Sequence, residues 1–285
     1  MNFFRNPSWL KLHQYPYGVL EEVPQELFDK INNELDKKIS NSPVVSIVIA
    51  AWNEEVNILR CISTLAGQKT DLPYEIIVVN NNSTDKTQAT LDKLHIRSFF
   101  QEIQGPGPAR QVGQLNARGK YILLADADCF YPEYWLEKMT EVLSMPGIVC
   151  VYGRYSFISE PGYPRWVLAC MEKMKDVAAE FRHIKRPYFN TYGLSMGYIT
   201  ALGLKIGFAM KNVRGEDGRM SLALMEYGKI KQVKAASVRV WTGPRTLQKD
   251  GTLLQALGKR VKKEFKNFFY NLRSTPPEET NNINY

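Results

Sequence analysis

The chain has 285 residues, of which 44% are hydrophobic and 23% charged, with a formal net charge of +8. Those values fit one large or two small folded domains and exclude collagen-like, coiled-coil and low-complexity classes. The basic balance calls for an anionic partner: nucleic acid, a phosphorylated substrate or an anionic membrane surface.

The first residues, "MNFFRNPSWLKLHQYP", lack the sustained apolar core of a signal peptide. Residues 24–39 place Leu27, Phe28, Ile31, Leu35 and Ile39 on one helical face. Residues 1–43 therefore read as an N-terminal helical extension, closed by the breaker "NSP". Residues 44–51, "VVSIVIAA", form a short apolar run rich in β-branched residues, the signature of a buried strand. Asn53 is placed to cap the next helix, with Glu54 and Glu55 in its first turn. That helix buries Ile58, Leu59, Ile62 and Leu65. A second buried strand spans 74–80. The polar turn "NNSTDKT" follows, with a helix cap at Ser83 or Thr84 and a helix to about Leu94. A third strand is expected over 96–102. Residues 105–120 form a glycine-rich turn with Pro108 at the first helical position. A fourth strand, 121–126, ends on Asp126-Ala127-Asp128.

Four strands alternating with three helices predict a parallel, doubly wound α/β sheet, whose ligands bind at the carboxyl ends of its strands. Residues 44–145 are then a nucleotide-binding half, and 146–250 an acceptor-binding half of the same domain. In that second half, 148–157 reads as a strand, 164–186 as a helix, 215–228 as a turn and helix, and 229–241 as strand material. Residues 192–210 are apolar enough to raise a membrane span, but their glycines and Lys205 favour a loop leading into a short helix. The four cysteines form no C-x-x-C pair and lie in apolar contexts, so they read as reduced, buried thiols of a cytosolic protein. Residues 251–285 form a basic amphipathic helix and a disordered tail. Within 253–273, Leu254, Leu257, Val261, Phe265, Phe268 and Leu272 share a face beside six cations and one acid. That helix either packs on the domain or meets an anionic membrane.

Chemistry concentrates at the strand ends. Residues i and i+2 of a strand face the same way, so Asp126 and Asp128 repel unless a cation lies between them. A hard divalent ion, Mg²⁺ or Mn²⁺, shared with substrate phosphates is the natural partner. "GPGPAR" offers backbone N–H groups and Arg110 to a diphosphate. The amides of "VVNNNSTD" are placed to read a base.

In this order, "SIVIAAWNEEVNILRCISTL", "IIVVNNNSTDKT", "GPGPARQVGQLNARGKYILLADADC" and "RGEDGRMSLALMEYGKI" resemble glycosyltransferase family 2, inverting enzymes of the GT-A fold, over about 44–245. The resemblance implies a Rossmann-like, mainly parallel sheet sandwiched by helices. It implies transfer of a sugar from a nucleotide-diphosphate sugar to a hydroxyl of a saccharide or lipid-linked acceptor, in cell-surface glycan synthesis. By position, Ala50, Trp52, Glu54, Asn80 and Asn81 line the nucleoside pocket, with Arg110, Asp126 and Ala127 along the donor. Asp126 and Asp128 hold Mg²⁺ or Mn²⁺, and Asp217 is the general base. Glu216 and Arg245 face the acceptor. Asn80 and Asn81 stand where relatives often carry aspartate, which leaves the base open: a UDP-sugar first, a GDP- or dTDP-sugar next. The Q-x-x-R-W motif of processive synthases is missing. The implied location is cytoplasmic, peripheral on the inner membrane face through 253–273, with no nucleic-acid partner. Two competing readings stand beside it. One is a nucleotidyltransferase on a similar scaffold. The other is a catalytically dead basic α/β protein that binds membrane or nucleic acid.

Overall fold

The computed structural model describes residues 4–213, 215–248 and 258. Apart from Gly258, the segment 253–273, expected to be an amphipathic helix, and the tail expected beyond it lie outside those residues.

After the helix α1 (Gln25–Lys38), the chain alternates β1 (Val45–Ala51), α2 (Asn57–Ala66), β2 (Tyr74–Asn80), α3 (Thr87–Leu91), β3 (Arg97–Phe100), α4 (Pro106–Leu115) and β4 (Tyr121–Asp126). β1 and β2 are mainly apolar and buried almost throughout because both faces of a parallel sheet are covered, and of their polar members Ser46 and Glu75 bond to each other. Alternate residues serve opposite faces. Ile47, Ile49, Ile76, Val78 and Leu123 pack with Phe28 and Leu35 of α1 and Ile58 and Leu59 of α2. Val48, Ile77, Val79, Ile122 and Leu124 pack on the other side with Ala109 of α4.

The second half adds β5 (Cys129–Phe130), α5 (Trp135–Leu143), β6 (Ile148–Tyr152), β7 (Tyr155–Phe157), α6 (Arg165–Lys185), β8 (Met196–Ile199), α7 (Thr200–Ile206), α8 (Glu216–Leu224), β9 (Lys229–Gln232), β10 (Val240–Thr242) and α9 (Arg245–Gln248). The main sheet runs β3-β2-β1-β4-β8-β6-β9, and a small second sheet runs β5-β10-β7.

The structure corrects several expectations. The four expected strands do run parallel in a mainly parallel sheet, and what the expectation lacked is β8, antiparallel between β4 and β6. Its segment, 192–210, was expected to be a loop leading to a short helix. Gly197 explains the difference, because a Cβ there would run into the Leu123 side chain of the neighbouring strand. The third strand covers only Arg97–Phe100, and α4 opens at Pro106 rather than Pro108. The expected strand 148–157 breaks at Gly153 and Arg154, so its two parts join different sheets. Cys170 is exposed rather than buried, because α6 turns its polar side inward. Among the described residues, no helix is long and apolar enough to cross a membrane.

The N-terminal segment is tied to the body. Leu10 packs with Phe130, Ile158 and Trp241. Asn6 and Ser159 exchange two hydrogen bonds, and Arg60 donates to the carbonyls of Tyr15 and Tyr17.

Candidate active site

Strand register assembles the site. Ala50 of β1 lies opposite Asp126 of β4, and Ala51 lies opposite Asn80 of β2. Three strands therefore deliver their carboxyl ends side by side, and Trp52 projects beyond them, exposed. Asn53 adopts a left-handed conformation, with φ of 54°. It does not cap α2, as the sequence suggested, since its Oδ1 accepts from Thr84 N at 2.8 Å. Neither Ser83 nor Thr84 opens α3; Asp85 Oδ1 accepts from Thr87 N instead, at 2.9 Å.

The two asparagines are buried and committed inside the protein. Asn80 donates to Gln88 Oε1 at 3.0 Å and accepts from Ser83 N at 3.1 Å. Asn81 donates to the carbonyls of Gln101 and Ile103, and its Oδ1 accepts from Gly105 N at 2.7 Å. Asn80 thus ties the end of β2 to α3, and Asn81 ties it to the loop that opens α4.

Arg110 is the centre of the constellation. It sits on the first turns of α4 and is only 4% exposed. Its Nη1 donates to Glu216 Oε1 at 2.6 Å and Asp217 Oδ1 at 2.5 Å, and its Nη2 donates to Asp126 Oδ1 at 3.1 Å. Burial alone would lower its pKa; the charges of Asp217, Asp126 and Glu216 more than reverse that and hold it protonated. The sequence suggested an arginine directed at phosphate. The observed guanidinium instead joins the end of β4 to the start of α8, some ninety residues later. Gly193 lies flush against it, and a Cβ there would overlap the guanidinium. The Gly193 N–H also donates to Asp217 Oδ2 at 2.8 Å. Glu216 and Asp217 occupy the first turn of α8, where the helix dipole favours negative charge.

The carboxyl of Asp126 is pushed up to about 7. Burial is the main cause, opposed by Arg110 and reinforced by Asp128 and Asp217, although 37% of the side chain remains exposed. Glu216 is also raised, first by burial and then by Asp217, against Arg110. Ala127 between the aspartates packs into the core, so the two carboxylates are the part of this turn that faces outward.

A second arginine serves Asp128. β10 pairs Thr242 with Cys129, which brings the start of α9 to the same strand end. Arg245 Nη2 donates to Glu54 Oε1 at 2.6 Å and Asp128 Oδ2 at 2.8 Å. Burial raises the carboxyl of Glu54, with Arg245 opposing. The site thus holds five carboxylates against two guanidinium groups. That surplus of negative charge, made of hard oxygen donors, fits Mg²⁺ or Mn²⁺ at Asp126 and Asp128. Among the described residues no three His, Cys, Asp or Glu side chains cluster to cage a metal. Such an ion would share its coordination with substrate phosphates, as Mg²⁺ commonly does.

Beside Asp128 opens a cavity of about 320 Å³, lined in part by Tyr15, Arg60, Phe130 and Arg245. The sequence reading did not include Tyr15, Arg60 or Gly193 in the site. Tyr15 and Gly193 arrive from distant segments that nothing in local spacing marks, and Arg60 lies on α2 six residues after Glu54, where helical spacing alone gives it no role.

The Glycosyl transferase family 2 model matches residues 46–202. The chain is 32% identical over 126 residues to glycosyltransferase AglE of Haloferax volcanii, covering 41% of each. It is 28% identical over 258 residues to hyaluronan synthase of Pasteurella multocida, covering 86% of this chain and 24% of that one. The alignments thus span well under half of either relative. Among solved structures, S. aureus TarS 1-349 in complex with UDP superposes with a TM-score of 0.55 at 20% identity, covering 72% of this chain and 62% of that one. The mannosyltransferase PcManGT from Pyrobaculum calidifontis, in complex with GDP-Man and Mn²⁺, gives 0.55 at 17% identity, covering 86% and 74%. These likenesses carry the fold, and the family match, over more than half of the sequence, carries the membership: the chain belongs to glycosyl transferase family 2.

Proposed function

We propose that the protein transfers a sugar, with inversion, from a nucleotide-diphosphate sugar to a hydroxyl of a saccharide or lipid-linked acceptor. A UDP-sugar is the first choice of donor, and cell-surface glycan synthesis is the setting. The observation that carries this reading is the Arg110 node, which joins a donor-side acid, Asp126, to an acceptor-side pair, Glu216 and Asp217, across the strand ends.

In this reading the donor lies over the ends of β1, β2 and β4. Trp52 and Ala50 line the nucleoside pocket, and Asn80 and Asn81 fix its walls through their internal bonds. Asp126 and Asp128 would hold Mg²⁺ or Mn²⁺, which would supply charge stabilisation for the departing diphosphate. Asp217 accepts the acceptor's hydroxyl proton as that oxygen attacks the anomeric carbon from the face opposite the diphosphate. Arg110 and the Gly193 N–H orient its carboxylate. Arg245 contacts the acceptor or the phosphates, and the cavity beside Asp128 takes part of the sugar or acceptor. We place the enzyme at the cytoplasmic face of a membrane, with residues 253–273 as the contact.

The test is product analysis with UDP-sugars and Mn²⁺, comparing wild type with Asp217→Asn. Transfer should give the inverted anomer. The variant should lose turnover by roughly 10²–10⁴-fold, the share typical of general-base catalysis, while still binding nucleotide. A variant that turns over at the wild-type rate removes Asp217 as the base.

A further inference from the structure

Asp128 already faces a cation of the protein's own. Arg245 Nη2 donates to Glu54 Oε1 at 2.6 Å and to Asp128 Oδ2 at 2.8 Å, so one nitrogen bridges acids from the ends of two strands. A divalent ion at Asp126 and Asp128 has to compete with that guanidinium for the Asp128 carboxylate, because two cations at such short range repel.

The two arginines of the site differ in what they can give up. Arg110 is buried, holds three acids and has the Gly193 backbone flush against it. The Arg245 side chain is 48% exposed and holds two acids. It also lines the cavity beside Asp128, so it has open space to turn into. Its helix need not follow. Leu247 is fully buried and packs with Phe157, Leu168 and Met171, which fixes α9 while the Arg245 side chain turns. The acids it leaves cannot stay bare. The Glu54 side chain is 13% exposed, and its other oxygen, Oε2, accepts from Asn57 at 2.8 Å. Glu54 and Asp128 both reach one nitrogen, and two carboxylates that close repel unless a cation stands near them. Departure of Arg245 is therefore an exchange of one cation for another. Its destination follows from its shape: a guanidinium is a planar fork that matches phosphate oxygens.

We propose that Arg245 is the standing cation of the metal site and that it exchanges Glu54 and Asp128 for the donor's diphosphate as the ion binds, so that ion and nucleotide are taken up as a coupled pair. This rests on the nucleotide-sugar reading above. Without nucleotide, Arg245 stays on Asp128 and holds the affinity for the ion down. With a diphosphate present, Arg245 has another anion to serve and the competition ends. By linkage, the ion raises the affinity for nucleotide by the same factor. Direct attraction between ion and diphosphate contributes as well, and Arg245 adds its share to that coupling.

The experiment uses the full chain. Mn²⁺ is titrated with and without saturating UDP, read by electron paramagnetic resonance of the free ion, and UDP is titrated by calorimetry with Mn²⁺ present. In wild type, UDP should tighten the binding of Mn²⁺. In Arg245→Ala, Mn²⁺ alone should bind about two- to five-fold more tightly, the size of an exposed ion pair. UDP with Mn²⁺ should bind this variant roughly ten-fold more weakly, for want of one charge-assisted hydrogen bond. The two shifts have opposite signs, which a merely damaged site would not give. Arg245→Lys restores a cation without the fork. It should return Mn²⁺ alone to its wild-type affinity and recover only part of the affinity for UDP. Any other pattern in Arg245→Ala, with both affinities falling or either one unmoved, overturns the proposal, while wild-type binding of UDP with Mn²⁺ leaves the nucleotide-sugar reading standing. Wild type that binds no UDP, with or without Mn²⁺, overturns that reading and this proposal with it.

Discussion

Gly193→Ala is a change of one methyl group that should disable the site. The added Cβ would overlap the Arg110 guanidinium, which is 4% exposed and bonded to Asp126, Glu216 and Asp217. The backbone around Gly193 has little room to retreat, because its N–H is bonded to Asp217 at 2.8 Å. Arg110 must therefore turn away from at least one of its acids. Breaking a buried charge network in this way costs about 3–5 kcal/mol. At roughly 2–4 °C per kcal/mol for a domain near this size, the melting temperature should fall by about 10 °C. Turnover should fall further than stability predicts, because the displaced Arg110 no longer orients the Asp217 carboxylate as observed. Differential scanning calorimetry and initial rates at a temperature where both proteins are folded measure the two effects. A variant melting within about 1 °C of wild type, with normal turnover, would mean that Arg110 does not organise the site.

Three further expectations concern single groups. Arg245→Ala removes an ion pair whose arginine is half exposed, so stability should change by less than about 1 kcal/mol. The freed Asp128 should bind Mn²⁺ more tightly in the absence of nucleotide, as read by paramagnetic relaxation; weaker binding would make Arg245 a support of the metal site. His13 is lowered to about 4 by burial and by Lys30. Below pH 6.5 the unfolded chain takes up a proton that the folded chain refuses, so this contribution is complete above 6.5 and lost as pH falls toward 4. Up to about 3 kcal/mol is involved. His13→Gln should flatten the fall in urea midpoint between pH 7 and 5, and an unchanged slope would refute the assignment. Asp217→Asn should keep nucleotide affinity within about three-fold while losing turnover, and titration calorimetry separates the two.

Much of the first half was legible because each signal was local. Residues 45–51, 74–80 and 121–126 are apolar runs that end on polar turns, and a parallel sheet places such ends together. Motif order also pointed to Asp126, Asp128 and Asp217, and the structure brings Asp126 and Asp217 together on Arg110. Their partners were not. Arg110 reads as a phosphate contact beside a glycine turn, and only the folded chain, which brings the start of α8 to its guanidinium, shows the acids that claim it. β8 was missed because its glycines look like loop until Gly197 is seen fitting against Leu123. The polarity of α6 was hidden for a related reason. Its apolar residues have helical spacing whichever side faces the core, and the inward choice of Glu172 and Asp176 depends on Arg165 and Arg239, the latter far along the chain.

The central claim is that these strand ends form a metal-assisted nucleotide-sugar site. The most direct measurement is the melting temperature with UDP-, GDP- and dTDP-sugars, each with and without Mn²⁺, for wild type and for the Asp126→Asn, Asp128→Asn double variant. A ligand that binds only the folded state adds about 2.7 kcal/mol at one hundred times its dissociation constant. The account predicts that one nucleotide sugar raises the wild-type midpoint by several degrees with Mn²⁺, that the shift shrinks without the ion, and that the double variant shows no ion-dependent part. A panel in which no nucleotide sugar moves the wild-type midpoint, or in which the double variant responds to Mn²⁺ as wild type does, would contradict it.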